Sequence, residues 1–225
     1  HYVSANNAAR IMLINNRRVT MISQGISHTA YDVMREYMII GAELDGKYQI
    51  PMLDRYTGHP GEDTVDFKDS FSPKIKNHRK LTVNFYIHDY EFEKIWNNPD
   101  RYLEHLKCFH SVIGPDFSMA VGENGMPFAM NIYQKYRNHA LSHYLSMNGI
   151  KVIPNVSIPP EYCYDWAFDG VPKRSTVACC TNGRIKSRAS REEFCIGFKE
   201  MERRIEPLRV IVVGKIPPEL NTDVD

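Results

Sequence analysis

Residues 81–88 read Leu-Thr-Val-Asn-Phe-Tyr-Ile-His and run directly into Asp89 and an amphipathic segment over residues 90–106. The first stretch is dense in β-branched and aromatic side chains, which suit a pleated, half-buried strand. In the second, Phe92, Ile95, Trp96, Leu103 and Leu106 recur at helical spacing. Pro99 divides that segment and starts a second helical piece, because its ring removes an N–H that a continuous helix needs. A strand passing at once into a helix is one half of a parallel βαβ unit.

The unit repeats downstream. A second strand over 111–114 ends at Pro115-Asp116-Phe117-Ser118, and Pro127 is placed for the first turn of a helix that runs to Met147. Asn148-Gly149 closes that helix. A third strand covers 151–156, and an irregular stretch over 159–170 carries Tyr162, Tyr164, Trp166 and Phe168. A fourth strand, 175–181, stops at Asn182-Gly183; a helix over 190–205 then leads through Pro207 to a fifth strand, 209–213. This order predicts an α/β fold: a mostly parallel sheet of about five strands with crossover helices, either an open sheet or a partial α/β barrel. Residues 1–80 read differently, with short helices expected over 8–19 and 31–39 and turn-dense sequence to Pro73. They are expected to form an irregular N-terminal wrap on an 81–225 core, within one domain.

Composition narrows the function classes. Twenty-eight Lys and Arg against 27 Asp and Glu give a net charge of +1, so any polyanion must be met by a local patch. Two basic clusters stand out: Lys74, Lys76, His78, Arg79 and Lys80, and Arg184, Lys186, Arg188 and Arg191. No apolar run approaches the roughly 18 residues of a membrane span, so no membrane partner is expected. The five cysteines form no C-x-x-C pair. With no signal-peptide pattern at the start, this predicts free thiols and a cytoplasmic location. Cys179 and Cys180, inside an apolar strand, read as small hydrophobes. Dinucleotide, P-loop and nucleophile-elbow motifs are absent.

In parallel α/β sheets, ligands bind outside the carboxyl ends of the strands. His88 and Asp89, Asp116 and Ser118, Asn155 and Ser157, Thr181 and Asn182, and Gly214 and Lys215 occupy those positions. Carboxylates at neighbouring strand ends suit acid–base work or a divalent metal, the one cofactor the pattern suggests. Asp116, Asp89 and, from the aromatic loop, Asp169 are the candidate catalytic residues, expected to face one cleft with Asn155. The competing reading makes Asp89 and Asp116 helix or turn caps. At Asp116, Pro115 stiffens the turn and Ser118 offers an alternative capping oxygen. Ser118, Arg137, Asn138, Asn155 and Trp166 are the candidate ligand-binding residues: Arg137 to clamp an anion rather than snorkel, Trp166 to stack rather than plug the sheet end. His139 and His143 share the i, i+4 spacing of metal ligands but lack the accompanying Glu, and read as core or solvated histidines.

The segments His88-Asp89-Tyr90, residues 96–102 (Trp-Asn-Asn-Pro-Asp-Arg-Tyr), Pro115-Asp116-Phe117-Ser118, Tyr136-Arg137-Asn138, Ile153-Pro154-Asn155 and Phe168-Asp169-Gly170 resemble, in order, the family termed domain of unknown function 4417. Upstream, Gly41-Ala42-Glu43 and residues 46–51 (Gly-Lys-Tyr-Gln-Ile-Pro) match its N-terminal part, so the resemblance covers roughly residues 35 to 218. It implies a protein of phages, plasmids or other mobile elements and no particular activity. Cys179-Cys180 and the basic loop after Gly183 depart from the pattern. Two function classes follow: an enzyme acting on nucleic acid or a nucleotide through strand-end carboxylates, or a non-catalytic inhibitor or sequestering protein for a host protein or nucleotide signal.

Overall fold

Six short parallel strands lie side by side in the order in which the chain makes them. The computed structural model describes residues 33–122 and 125–220. A small antiparallel hairpin, β1 (Leu44–Asp45) and β2 (Ile50–Pro51), comes first. β3 (Asp63–Asp66), β4 (Leu81–Asn84), β5 (Ser111–Ile113) and β6 (Val152–Ile153) form a four-stranded parallel sheet, and β7 (Thr176–Cys180) pairs in parallel with β8 (Arg209–Val213). A parallel bridge between Asn155 and Ala178 joins the two groups. Around it Ala178 N donates to Pro154 O and Val156 N donates to Ala178 O, each at 2.8 Å.

The helices are α1 (Asp89–Asn97), α2 (Asp100–Leu106), α3 (Phe128–Met147) and α4 (Arg188–Ile205). Pro99 divides α1 from α2, and Pro127 precedes the first turn of α3. Ser187 caps α4, its hydroxyl accepting from Ser190 N at 3.1 Å. The expected 8–19 helix lies outside the described residues; of the expected 31–39 helix, one 3-10 turn is present at Glu36–Ile39.

Strand alternation sorts the side chains onto two faces. Val83, Phe85, Val112 and Val152 pack with Phe92, Ile95, Leu141 and Leu145 in one helix-covered core. Val177 and Cys179 pack with Phe194, Phe198 and Met201 in another. The opposite face holds Ile113, Ile153 and Ala178 with Tyr56, Tyr86, Ile211 and Val213, and no helix among the described residues contributes to it. A doubly wound sheet reverses its strand order and carries helices on both faces, whereas consecutive right-handed crossovers place every helix on one side. Sequential order and helices on one face among the described residues set this α/β fold apart from a doubly wound sheet, with β3 and β8 as the edges.

Residues 1–80 add one parallel strand to the five expected downstream. β3 lies inside the expected wrap and pairs along its whole length with β4. Its sequence, Asp-Thr-Val-Asp, has a single buried apolar side chain, Val65, so periodicity carries no signal there. Tyr37, Met38 and Phe67 also enter the helix-side core from this region.

Candidate functional site

The loops following β4, β5 and β6 converge on one cavity of about 490 Å³. After β4, Asn84 Oδ1 accepts from Tyr86 N at 3.1 Å and turns the chain, leaving the Tyr86 phenol to donate to Asn155 Oδ1 at 2.8 Å. After β5, Gly114 lies where a Cβ would stand 2.5 Å from Ser142 Oγ, so the strand approaches α3 closely there. Phe117 is fully buried, tilted against Phe92 at 4.7 Å and covered by the Arg137 guanidinium at 3.6 Å. Asn138 holds both backbone groups of Phe117: its Oδ1 accepts the N–H at 2.6 Å and its Nδ2 donates to the carbonyl at 3.2 Å. On the other side, Ser118 N and Oγ both donate to the Asp89 carboxylate, at 3.1 and 2.7 Å.

Asp116 stands between these two clasps at the cavity floor. Its Oδ1 accepts from Asn155 Nδ2 at 2.8 Å and Ser157 Oγ at 3.3 Å, and Oδ2 has no partner among the described residues. Burial holds the Asp116 carboxyl above its ordinary value. The bonds from Asn155 and Ser157 act in the opposite direction, and the charge of Asp89 adds to the rise. Burial, aided by the Asp116 charge, also pushes Tyr86 well above the phenol range, so Tyr86 remains a donor to Asn155. Trp166, Met119, Val121 and Ile158 supply an apolar wall. Two cations line the same cavity. Lys68 is paired with Glu91 at 2.7 Å, and Arg184 donates one guanidinium nitrogen to Ile158 O at 2.7 Å.

Of the candidate residues, Asp116, Ser118, Asn155 and Trp166 line this cavity. Asp89 sits one bond behind it, as the acceptor for Ser118. Arg137 and Asn138 do not reach it: Arg137 pairs with Glu93 at 2.5 Å and bonds Gln134 at 3.0 Å, and both residues brace Phe117. The shared cleft expected for Asp169 is corrected, since it is not among the lining residues. Asp169 belongs to a separate cluster with Asp45 and Lys135. The buried Lys135 ammonium donates to Ala167 O at 2.8 Å and is brought down to about 7 by desolvation. Burial, reinforced by Asp45, raises Asp169. Gly170 N donates to Asp45 Oδ2 at 2.8 Å, fastening the β1–β2 hairpin to the aromatic loop. His139 and His143 hydrogen-bond the carbonyls of Pro51 and Ile40 and so pin the N-terminal segment to α3.

Sequence reasoning missed Tyr86 and Lys68. Tyr86 was absorbed into the first strand, although period two places it on the same face as His88; Lys68 follows a strand that has no periodic signature. Among the described residues, no three of His, Cys, Asp and Glu gather as metal ligands, and Asp116 is held by an amide and a hydroxyl rather than a second carboxylate. The five cysteines are free. No helix among the described residues is long and apolar enough to cross a membrane.

Fold and site together define an α/β protein with a strand-end cavity floored by a half-buried carboxyl. The chain belongs to the family described as domain of unknown function (DUF4417), whose model matches residues 42–225. It is similar to the Gene 1 protein of Mycobacterium phage L5, with 32% identity over 134 residues, covering 60% of this chain and 57% of that protein. The Gene 1 protein of Mycobacterium phage D29 is 29% identical over 134 residues, covering 60% of this chain and 48% of that protein. The matched region thus spans about half the length of these curated relatives, and both are phage proteins. No solved structure matches the chain.

Proposed function

We propose that the protein is an enzyme acting on a nucleotide-sized, phosphate-bearing substrate, with Asp116 as its acid–base group. The observation that carries this reading is the Asp116 carboxyl: desolvated, held through one oxygen, with the other oxygen unpartnered among the described residues at the floor of a cavity. A carboxylate made more basic by burial is a better proton acceptor near neutral pH. The cavity volume falls within the range of about 300–1,000 Å³ typical of small-molecule sites, which favours a nucleotide over a polymer threaded through it. The apolar wall of Met119, Val121 and Ile158 suits a base, and Arg184 and Lys68 suit a phosphate. Asp89, Arg137 and Asn138 act as positioning residues. Such a substrate and five free thiols fit action in a reducing cytoplasm.

The test is a panel of nucleoside mono-, di- and triphosphates, read first by thermal shift and then by product analysis. A nucleotide that binds is expected to raise the melting temperature. Asp116→Asn is expected to keep that shift while turnover falls about 10²–10⁴-fold, the usual contribution of a general acid or base. A saturable shift in parent and variant alike, with no product from either, would make the protein a sequestering factor. No shift with any member of the panel would remove the nucleotide reading.

A further inference from the structure

We infer that the opposite end of the sheet is a docking surface for the phosphodiester backbone of a nucleic acid. This inference rests on different residues from the strand-end site and stands independently of it. At the N-terminal ends of β4, β5 and β6, two adjoining depressions of about 450 and 290 Å³ share Arg79. Lys80 and His78 line the first; Lys107, His110 and Lys151 line the second; no carboxylate among the described residues lines either. Glu62 pairs with Lys80 at 2.9 Å and Glu104 with Lys107 at 2.7 Å. Arg79 and Lys151 have no carboxylate partner among the described residues, nor do Lys74 and Lys76 on the same β3–β4 connection, and all four are exposed. The whole chain carries only +1, so this gathering of cations is local.

The geometry selects among anionic partners. The cations come from three separate connections and stay in solvent instead of converging on one buried point, which matches a repeating anion better than a single phosphate. Asn77, His78 and His110 add polar groups of the kind that reach phosphate and sugar oxygens. Among the described residues, none of the exposed large apolar side chains lines either depression, and Leu106, Phe109 and Ile150 are buried there, so these offer no wedge to a lipid surface.

Fluorescence anisotropy with a labelled duplex of about 20 base pairs tests this; four engaged cations give a slope of log K against log salt near −3 to −4. Arg79→Gln/Lys151→Gln is expected to reduce that slope by about 2 and to weaken binding about tenfold or more in dilute salt. Asp116→Asn is expected to bind the duplex like the parent, which separates this surface from the strand-end site. Lys74→Gln/Lys76→Gln, outside both depressions, serves as a second pair should the first lower the melting temperature. Absence of binding in dilute salt, an unchanged slope in both pairs, or equal displacement by polyglutamate would each overturn the inference, the last by making the partner an acidic protein.

Discussion

Replacing Asn138 by alanine probes how the fold holds its candidate acid–base group. The Asn138 side chain is 5% exposed and serves both backbone groups of Phe117, itself fully buried. Alanine leaves that N–H and that carbonyl without partners in the core, and each orphaned group costs about 1–3 kcal/mol. A loss of about 3 kcal/mol or more is expected, which for a chain of this size lowers the melting temperature by about 6–12 °C. Function should suffer beyond stability. Asp116 precedes Phe117 in the same turn, and a misplacement near 1 Å costs about 100-fold in rate. Urea unfolding gives the stability term; kcat and KM for the nucleotide found by the panel give the second, with kcat expected to fall more than KM rises. Asn138→Asp keeps the acceptor for the N–H but sets an oxygen against the Phe117 carbonyl, so it is not expected to rescue. A loss below about 1 kcal/mol, or unchanged kcat, would refute the view that this amide positions Asp116.

Two further perturbations address the cluster beside the hairpin. Lys135 is brought down to about 7 in the folded chain from an ordinary value of 10.5, so between those pH values the unfolded state binds the extra proton and stability rises with pH. Lys135→Met is expected to lose that rise, and parallel urea melts between pH 7 and 10 that keep a constant gap between parent and variant would show the lysine is not so perturbed. Gly46 has φ +67°, and a Cβ there would lie 1.9 Å from Asp169 Oδ2. Gly46→Ala is expected to cost about 1–2 kcal/mol from the backbone and more from the clash. Gly46→Ala/Asp169→Ala should recover only the clash portion; full recovery or none, measured by thermal unfolding, would contradict that division.

The strand-end loops were legible because their signals are local. Pro115 before Asp116, Pro127 ahead of α3 and Asn148-Gly149 behind it are written into neighbouring residues. So is the alternation that sends Val83 and Phe85 to the helices. From these the parallel α/β class and the strand-end position of Asp116, Ser118 and Asn155 follow. β3 was not legible, because a four-residue edge strand with one buried apolar side chain has no period to detect.

By itself, then, the chain determined the strands and helices downstream of Leu81 and which polar residues stand where those strands end, since local sterics and hydrophobic period act over a few residues. Tertiary structure alone decided what those residues do. Asp89 and Asp116 look alike in sequence, yet Asp89 is spent on Ser118 while Asp116 keeps one oxygen without a partner among the described residues. Asp169 sits in a motif as suggestive as either, but the hairpin and Lys135 draw it into another cluster. Hydrogen-bond partners and desolvation depend on groups 29 to 125 residues away, such as Ser118 for Asp89 and Asp45 for Gly170, and no window of sequence contains them.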